Sequence, residues 1–364
     1  MRSITALAAV LVMTMAGGAQ AQEASRPRWA IVVHGGAGVI DRKDLTPEQD
    51  KAYREAMGRV ATVGAEVLKA GGSALDAIET AIRILEDDPL FNAGRGAVFT
   101  AEGRNELDSS MMDGKTLAAG SVAGVTRTRH PISLARAVME KSPHVMLIGE
   151  GAERFARAQG LEEVDNSYFF TERRWQALER ELKTLNLPVP ARPKGAPQAP
   201  SAALEQRAEL QHDEGRDRLA QLDKKYGTVG VVALDSAGNL AAGTSTGGTT
   251  AKRWGRVGDS PIIGAGTYAS NASCAVSATG TGEYFIRLTV AREICALVQY
   301  KGLGLQAAAD EVIQKQLTAM GGDGGVIAVA PDGQMAWSFN TSGMYRARVA
   351  DGAPLTVGIY KDDP

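Results

Sequence analysis

Cysteine is nearly absent. Cys274 and Cys295 are the only two in 364 residues, and they form no C-x-x-C pair, which excludes a thiolate metal cage or a dithiol redox motif. Histidine is almost as scarce: His34, His130, His144 and His212 are scattered and show no paired ligand spacing, so no catalytic metal is indicated. Beyond the N-terminal residues no apolar run is long enough to span a bilayer. An excess of one charge is missing too. The net charge is −2 with interspersed signs, which leaves no basic face for nucleic acid. No internal repeat is visible. What is present, with 44% hydrophobic residues, is enough to bury the core of one large domain or two closely joined parts.

Met1-Arg2, the apolar stretch Ala6 to Met15 and Ala19-Gln20-Ala21 have the n-region, h-region and A-x-A site of a secretory signal peptide. Residues 1–21 are therefore expected to be removed after Ala21, leaving a periplasmic or secreted protein. Gln22 follows, so the mature N-terminus has no thiol to carry a lipid. An oxidising compartment permits a Cys274–Cys295 disulfide, while the apolar helical setting of Cys295 equally suits a buried free thiol.

Trp29 to Val33 reads as a first core strand ending in the glycine loop His34-Gly35-Gly36-Ala37-Gly38. Thr46-Pro47-Glu48-Gln49 is a helix start with a capping box, and Ser73 with Asp76 opens a second helix that ends before Pro89. A glycine-rich loop, Phe91 to Phe99, precedes a hairpin of Glu106 to Met112 and Lys115 to Val125, turning at Asp113-Gly114. Helices are expected over about Ile132 to Glu140 and Gly151 to Ala158. From about Thr171 to Tyr226 prolines, Ala, Gln and charged residues replace apolar periodicity, the composition of a linker or mobile insertion. Thr228 to Leu234 and Leu240 to Thr246 then form a hairpin. A strand over Ala272 to Ala278, helices over Glu283 to Tyr300 and Leu305 to Leu317, and the hairpin Gly325 to Ala330 with Gln334 to Phe339 complete the pattern. Two antiparallel sheets between helical layers accommodate this order.

Several chemistries fail on their context. Gly243-Thr244-Ser245-Thr246-Gly247 matches G-x-S-x-G, but no histidine follows His212 and no helix starts after it, as a nucleophile elbow requires. Gly280-Thr281-Gly282-Glu283 leads from a strand into a helix, yet Phe285 stands where a dinucleotide fingerprint needs glycine. Such a turn still offers backbone N–H groups to an oxyanion, which points to Thr279 and Gly280. Arg256 and Asp259 lie three apart in a glycine-flanked loop; they read either as a surface ion pair or as a grip for an amino-acid carboxylate and ammonium. Thr228 follows the small Gly227 at the start of a buried strand. It is a good β-former, and cleavage of the Gly227–Thr228 bond would give it the hydroxyl and free amine of an N-terminal nucleophile.

Together, Gly227-Thr228-Val229-Gly230, Thr244-Ser245-Thr246-Gly247-Gly248, Gly255-Arg256-Val257-Gly258-Asp259-Ser260-Pro261 and Ser277-Ala278-Thr279-Gly280-Thr281-Gly282-Glu283 closely resemble the plant-type L-asparaginase/isoaspartyl peptidase family of N-terminal nucleophile (Ntn) hydrolases. His34-Gly35-Gly36-Ala37-Gly38, Asn92-Ala93-Gly94 and Met112-Asp113-Gly114 match as well. The resemblance implies an α+β fold, a four-layer αββα Ntn-hydrolase sandwich, autocleaved into α and β subunits: an α-subunit core (22–170), a flexible linker (171–227) and a β-subunit (228–364) that pair into an (αβ)₂ heterotetramer. It implies that Thr228 is the nucleophile and its freed amine the base, with Gly36 holding that amine and Thr246 polarising the hydroxyl. By the same resemblance Thr279 and Gly280 stabilise the oxyanion, Arg256 and Asp259 hold the α-carboxylate and α-amine, and Gly282 completes the pocket. No cofactor is required, and a structural Na⁺ is expected on the backbone of Leu85, Glu86, Asp88, Phe91, Ala93 and Arg95. The implied substrates are small molecules, L-asparagine and β-aspartyl dipeptides, with no nucleic-acid or membrane partner. The alternatives are a glycosylasparaginase-like amidase, whose relatives show Asp where Gly227 stands, and a non-catalytic periplasmic aspartate-binding protein.

Overall fold

The computed structural model describes residues 28–197 and 227–364; the residues of the expected signal peptide and positions 198–226 of the expected linker lie outside the described residues. The chain enters as β1 (Ala30–Gly38), α1 (Pro47–Lys69) and α2 (Ala74–Asp87), followed by β2 (Leu107–Asp113), β3 (Ala119–Val125), α3 (Pro131–Lys141), β4 (Met146–Ile148), α4 (Gly149–Ala158) and α5 (Glu172–Thr184). After the gap come β5 (Val229–Leu234), β6 (Leu240–Thr246), β7 (Thr267–Ala269), β8 (Ala275–Gly280), α6 (Gly282–Leu288), α7 (Val290–Lys301), α8 (Leu305–Asp310, continued as a π-helical stretch Glu311–Leu317), β9 (Gly324–Val329), β10 (Met335–Phe339), β11 (Gly343–Ala350) and β12 (Thr356–Tyr360). One sheet runs β12-β11-β1-β5-β6-β2-β3-β4 and the other β10-β9-β8-β7.

Residue alternation along the central strands explains the layering. In β1, Ile31 and Val33 face the core under α1 and α2, while Ala30 and Val32 face the core between the sheets. In β5, Val229, Val231 and Ala233 take the first side and Val232 and Leu234 the second. Val326 and Ala328 of β9 pack under α6–α8, and Ile327 and Val329 turn inward to meet the first sheet. Strands apolar on both faces must be covered on both faces, and the result is the expected four-layer αββα sandwich. The caps are as read: Thr46 and Ser73 each complete a capping box at the starts of α1 and α2.

Four differences have local causes. β1 does not stop at Val33; it continues through the glycines to Gly38, with a bulge between His34 and Gly36 where it pairs with β11. The region from Thr171 is not linker at its start. Thr171 caps α5, and Trp175, Leu178 and Leu182 pack on Phe99, Phe170 and Ala251, an i, i+3, i+7 stripe masked by seven charged neighbours in the helix sequence ERRWQALERELKT. The helix expected over Glu283 to Tyr300 is two, because Thr289 adopts a left-handed φ of 49°. The residues after Phe339, given no element by the sequence, form β11 and β12, and β11 flanks β1.

Cys274 and Cys295, whose pairing the sequence leaves open, are bonded: their Cα atoms are 5.3 Å apart and both residues are fully buried. The bridge pins the start of β8 to α7. Closing a loop of 21 residues' separation limits the unfolded chain by about 3 kcal/mol. The double variant Cys274→Ala/Cys295→Ala is therefore expected to lose about 3 kcal/mol in denaturant titration while keeping its substrate KM.

Candidate active site

β5 and β6 pair Val229 with Ser245, and this register sets Thr228, at the head of β5, against Thr246 at the end of β6. The Thr228 hydroxyl donates to Thr246 Oγ1 at 3.0 Å, and Thr246 Oγ1 in turn accepts from the Gly248 N–H at 3.0 Å. Thr228 is 8% exposed. It shares one cleft with Gly227, Thr246, Arg256, Asp259 and Gly280, so six of the site residues read from sequence meet at one point. Ser245, the centre of the G-x-S-x-G match, lies within β6 and donates instead to Glu86 on the helical side of the sheet; the nucleophile-elbow geometry is absent.

The Gly227–Thr228 junction is tightly held. Gly227 O accepts from the Asn92 backbone N–H at 3.1 Å, and Asn92 Nδ2 donates to Gly248 O at 2.8 Å, so one residue, through its backbone and its side chain, links the junction to the loop after Thr246. A Cβ on Gly227 would lie 2.5 Å from Asn92 Cβ, and one on Gly36, whose φ is +112°, would lie 2.7 Å from Gly227 Cα. Glycine is required at both places by these close approaches. Asn92 was legible only as part of a matching tripeptide; its anchoring role needs the fold.

Opposite the hydroxyl, Asp259 is 4% exposed and its Oδ2 has no hydrogen-bond partner. Burial pushes its carboxyl up to about 7, against the opposing pull of its own backbone N–H and of Arg256. Arg256 is held by Glu283, Nε to Oε1 at 3.0 Å and Nη2 to Oε2 at 3.2 Å, and this pairing keeps Glu283 below the usual carboxylate range. Gly282 lies beneath them: a Cβ there would come within 2.9 Å of both Arg256 Nη2 and Asp259 Oδ1. A cation and a buried, under-bonded carboxylate side by side match the two charged ends of an amino acid.

Asp259 makes the resting protein pH-sensitive. Its folded pKa lies above the unfolded one, so its contribution is fully present below the unfolded value near 3.8 and is lost as pH rises through about 7. Asp259→Asn is expected to be more stable than the parent at pH 8, by an amount on the order of 2–4 kcal/mol, and to show no such gain at pH 4. Thermal melts across that range check it.

Thr279 and Gly280 end β8. Gly280 lines the cleft, while Thr279 Oγ1 accepts from Ala37 N at 3.4 Å, tying the β8 end to the β1 glycines. Among the described residues no group of three or more His, Cys, Asp and Glu could hold a metal. In the loop named for a cation, Leu85, Glu86, Phe91 and Ala93 are buried and Arg95 is exposed. The Glu86 carboxyl accepts from Ser245 Oγ at 2.6 Å and Ile132 N at 3.0 Å, and burial pushes it up to about 8. Burial thus favours its protonated form. Asp88 Oδ1 accepts from Leu90 N. Glu86 Oε2 is buried without a hydrogen-bond partner, and backbone carbonyls line the loop: Glu86 O would be 2.2 Å from a Cβ on Gly94, and Phe91 O 2.0 Å from one on Gly96. That donor set fits a hard monovalent ion better than a transition metal.

The family model described as asparaginase matches residues 27–359. The isoaspartyl peptidase of Escherichia coli (strain K12) is 50% identical over 334 residues, 91% of this chain and 96% of that protein. A probable isoaspartyl peptidase/L-asparaginase 2 of Arabidopsis thaliana is 43% identical, covering 92% of this chain and 99% of its own length. The human isoaspartyl peptidase/L-asparaginase is 40% identical, covering 92% and 96%. With the sandwich and the Thr228 cleft in place, the match across nearly the whole described chain shows that this protein belongs to the asparaginase family, and with it to the Ntn hydrolases.

Proposed function

We propose that the protein is an autoprocessing threonine hydrolase that opens the β-amide of L-asparagine and the isopeptide bond of β-aspartyl dipeptides, releasing L-aspartate. The observation that carries this is the Thr228–Thr246 hydroxyl pair at 3.0 Å, directly after Gly227 and in one cleft with Arg256 and Asp259. In processing, the Thr228 hydroxyl attacks the Gly227 carbonyl carbon; the peptide C–N bond breaks, the Thr228 nitrogen takes the proton, and water then hydrolyses the ester. The freed amine, with an ordinary pKa of roughly 7.7 to 8.0, next serves as base. It takes the hydroxyl proton as Oγ1 attacks the side-chain carbonyl of the substrate. Thr279 and Gly280 receive the oxyanion, the leaving ammonia or amino acid departs with the proton, and water releases aspartate from Thr228. Gly36, packed on Gly227, supplies the acceptor for the new amine.

Both substrates present the same aspartyl half, so one grip serves both. Arg256 takes the α-carboxylate and the unpartnered Asp259 Oδ2 takes the α-ammonium. The relatives named as isoaspartyl peptidases and asparaginases support this reading. A structural Na⁺ on the 85–95 carbonyls, an (αβ)₂ assembly and export after Ala21 belong to the same proposal; the Cys274–Cys295 bridge supports export, because such bonds persist in oxidising compartments. Among the described residues no helix is long and apolar enough to cross a membrane. Purified mature protein is expected to release ammonia from L-asparagine and leucine from β-Asp-Leu. Failure on both would contradict the reading, and activity only on a glycosylated asparagine would turn it toward the amidase alternative.

A further inference from the structure

The space between the two sheets is apolar over most of its extent, filled by Val32, Val232, Ala242, Ala269, Ala275 and Ile327. Two residues along from five such inward positions the character changes. His34 follows Val32, Thr244 follows Ala242, Ser277 follows Ala275, Ser110 precedes Met112 and Thr267 precedes Ala269. By strand alternation all five face the same inter-sheet space, and all are fully buried.

They are in continuous contact. His34 Nε2 lies 3.0 Å from Ser277 Oγ, Ser277 Oγ 2.7 Å from Thr244 Oγ1, Thr244 Oγ1 2.5 Å from Thr267 Oγ1 and Thr267 Oγ1 2.7 Å from Ser110 Oγ. Ser110 Oγ also donates to Ser260 O at 2.6 Å. The run therefore begins beside the nucleophile and ends on the residue after Asp259. At the first end, His34 pairs with Gly230 across β1 and β5 and meets the Thr228 backbone, while its Nδ1 has no well-formed hydrogen bond. A side chain on Gly230 would collide with both Ser277 Oγ and His34 Nε2, so that glycine makes room for the contact. Burial drives the His34 imidazole down to about 3, so the run is uncharged at working pH.

Buried hydroxyls add little net stability over well-packed apolar groups of the same shape. Four in succession, joined to a buried imidazole, in an otherwise apolar layer call for a role other than holding the sheets together. We propose that His34, Ser277, Thr244, Thr267 and Ser110 are positioning residues that tie the strand carrying Thr228 to the Asp259–Ser260 turn, and so fix the ammonium-gripping aspartate relative to the nucleophile. The inference rests on the reading of Asp259 as the substrate grip. Hydrogen bonds are directional where apolar packing is not, so the run sets the distance between the two halves of the site across a sheet interface that could otherwise slide.

The test is Thr267→Val, an isostere that cuts the run at its middle while Ser110 keeps Ser260 O and Thr244 keeps Ser277. Thr267→Ser restores the hydroxyl, and Ser110→Ala cuts the run independently. Affinity for L-aspartate by calorimetry, KM and kcat for β-Asp-Leu, and the melting temperature are measured on each. Thr267→Val and Ser110→Ala are expected to weaken aspartate binding and raise KM about tenfold, with kcat changed little and processing into two pieces intact, and Thr267→Ser to bind as the parent does. Parental affinity in Thr267→Val, or a Thr267→Ser as impaired as Thr267→Val, overturns the proposal. A parent that binds aspartate but turns over neither substrate defeats the hydrolase reading alone, since the affinities still decide this one. A parent that does neither defeats both.

Discussion

Thr228→Ala is expected to migrate as a single polypeptide on a denaturing gel and to lose about 10⁴-fold or more of its activity on both substrates. The size follows from a double role. In the proposed mechanism, removing the hydroxyl removes the attacking atom and also the group that would cut the Gly227–Thr228 bond, so the variant would not gain the α-amine that serves as base. Residues acting as a unit fail together rather than additively. Thr228→Ser keeps an oxygen within reach of Thr246 Oγ1, which lies 3.0 Å from the native hydroxyl, and is expected to process and turn over more slowly. Thr228 is buried at the head of a central strand, so a folded Thr228→Ala must be shown by its melt. A two-piece Thr228→Ala would place the scission chemistry elsewhere.

Arg256→Ala is expected to process normally but to lose about 10²- to 10³-fold in kcat/KM, as expected when the guanidinium proposed to hold the substrate α-carboxylate is removed. Steady-state kinetics on asparagine and β-Asp-Leu measure it, and the two should fall together because they share the aspartyl half. Glu283 gives the prediction its specificity. It already engages Nε and Nη2 of Arg256, which orients the guanidinium before any substrate arrives. Lysine cannot reproduce that two-point hold, so Arg256→Lys should recover little. Equal losses in processing and in turnover would instead make Arg256 part of the general fold.

The contrast between Thr228 and Asn92 shows what could be read in advance. Thr228, Thr246, Arg256, Asp259 and the glycines sit in short segments whose residue types are dictated by local chemistry, and a one-dimensional string preserves such segments. The caps of α1 and α2 were legible for the same reason: Thr46 and Ser73 make their bonds within three residues. Asn92 acts on Gly227 and Gly248, more than a hundred residues away, and no local pattern announces that. Likewise β11 is a strand because it meets β1 across the length of the chain, and α5 hides its apolar stripe among charges. The disulfide was undecidable from spacing alone; the fold brings the start of β8 onto α7. Polar residues inside an apolar layer, such as His34 and Thr267, look like ordinary strand residues until both sheets are in view.

The most direct measurement is the intact mass of the purified protein together with N-terminal sequencing of its smaller piece. The account predicts two chains, the smaller beginning Thr-Val-Gly-Val at Thr228. A single uncut chain that nevertheless hydrolyses aspartyl substrates would contradict it.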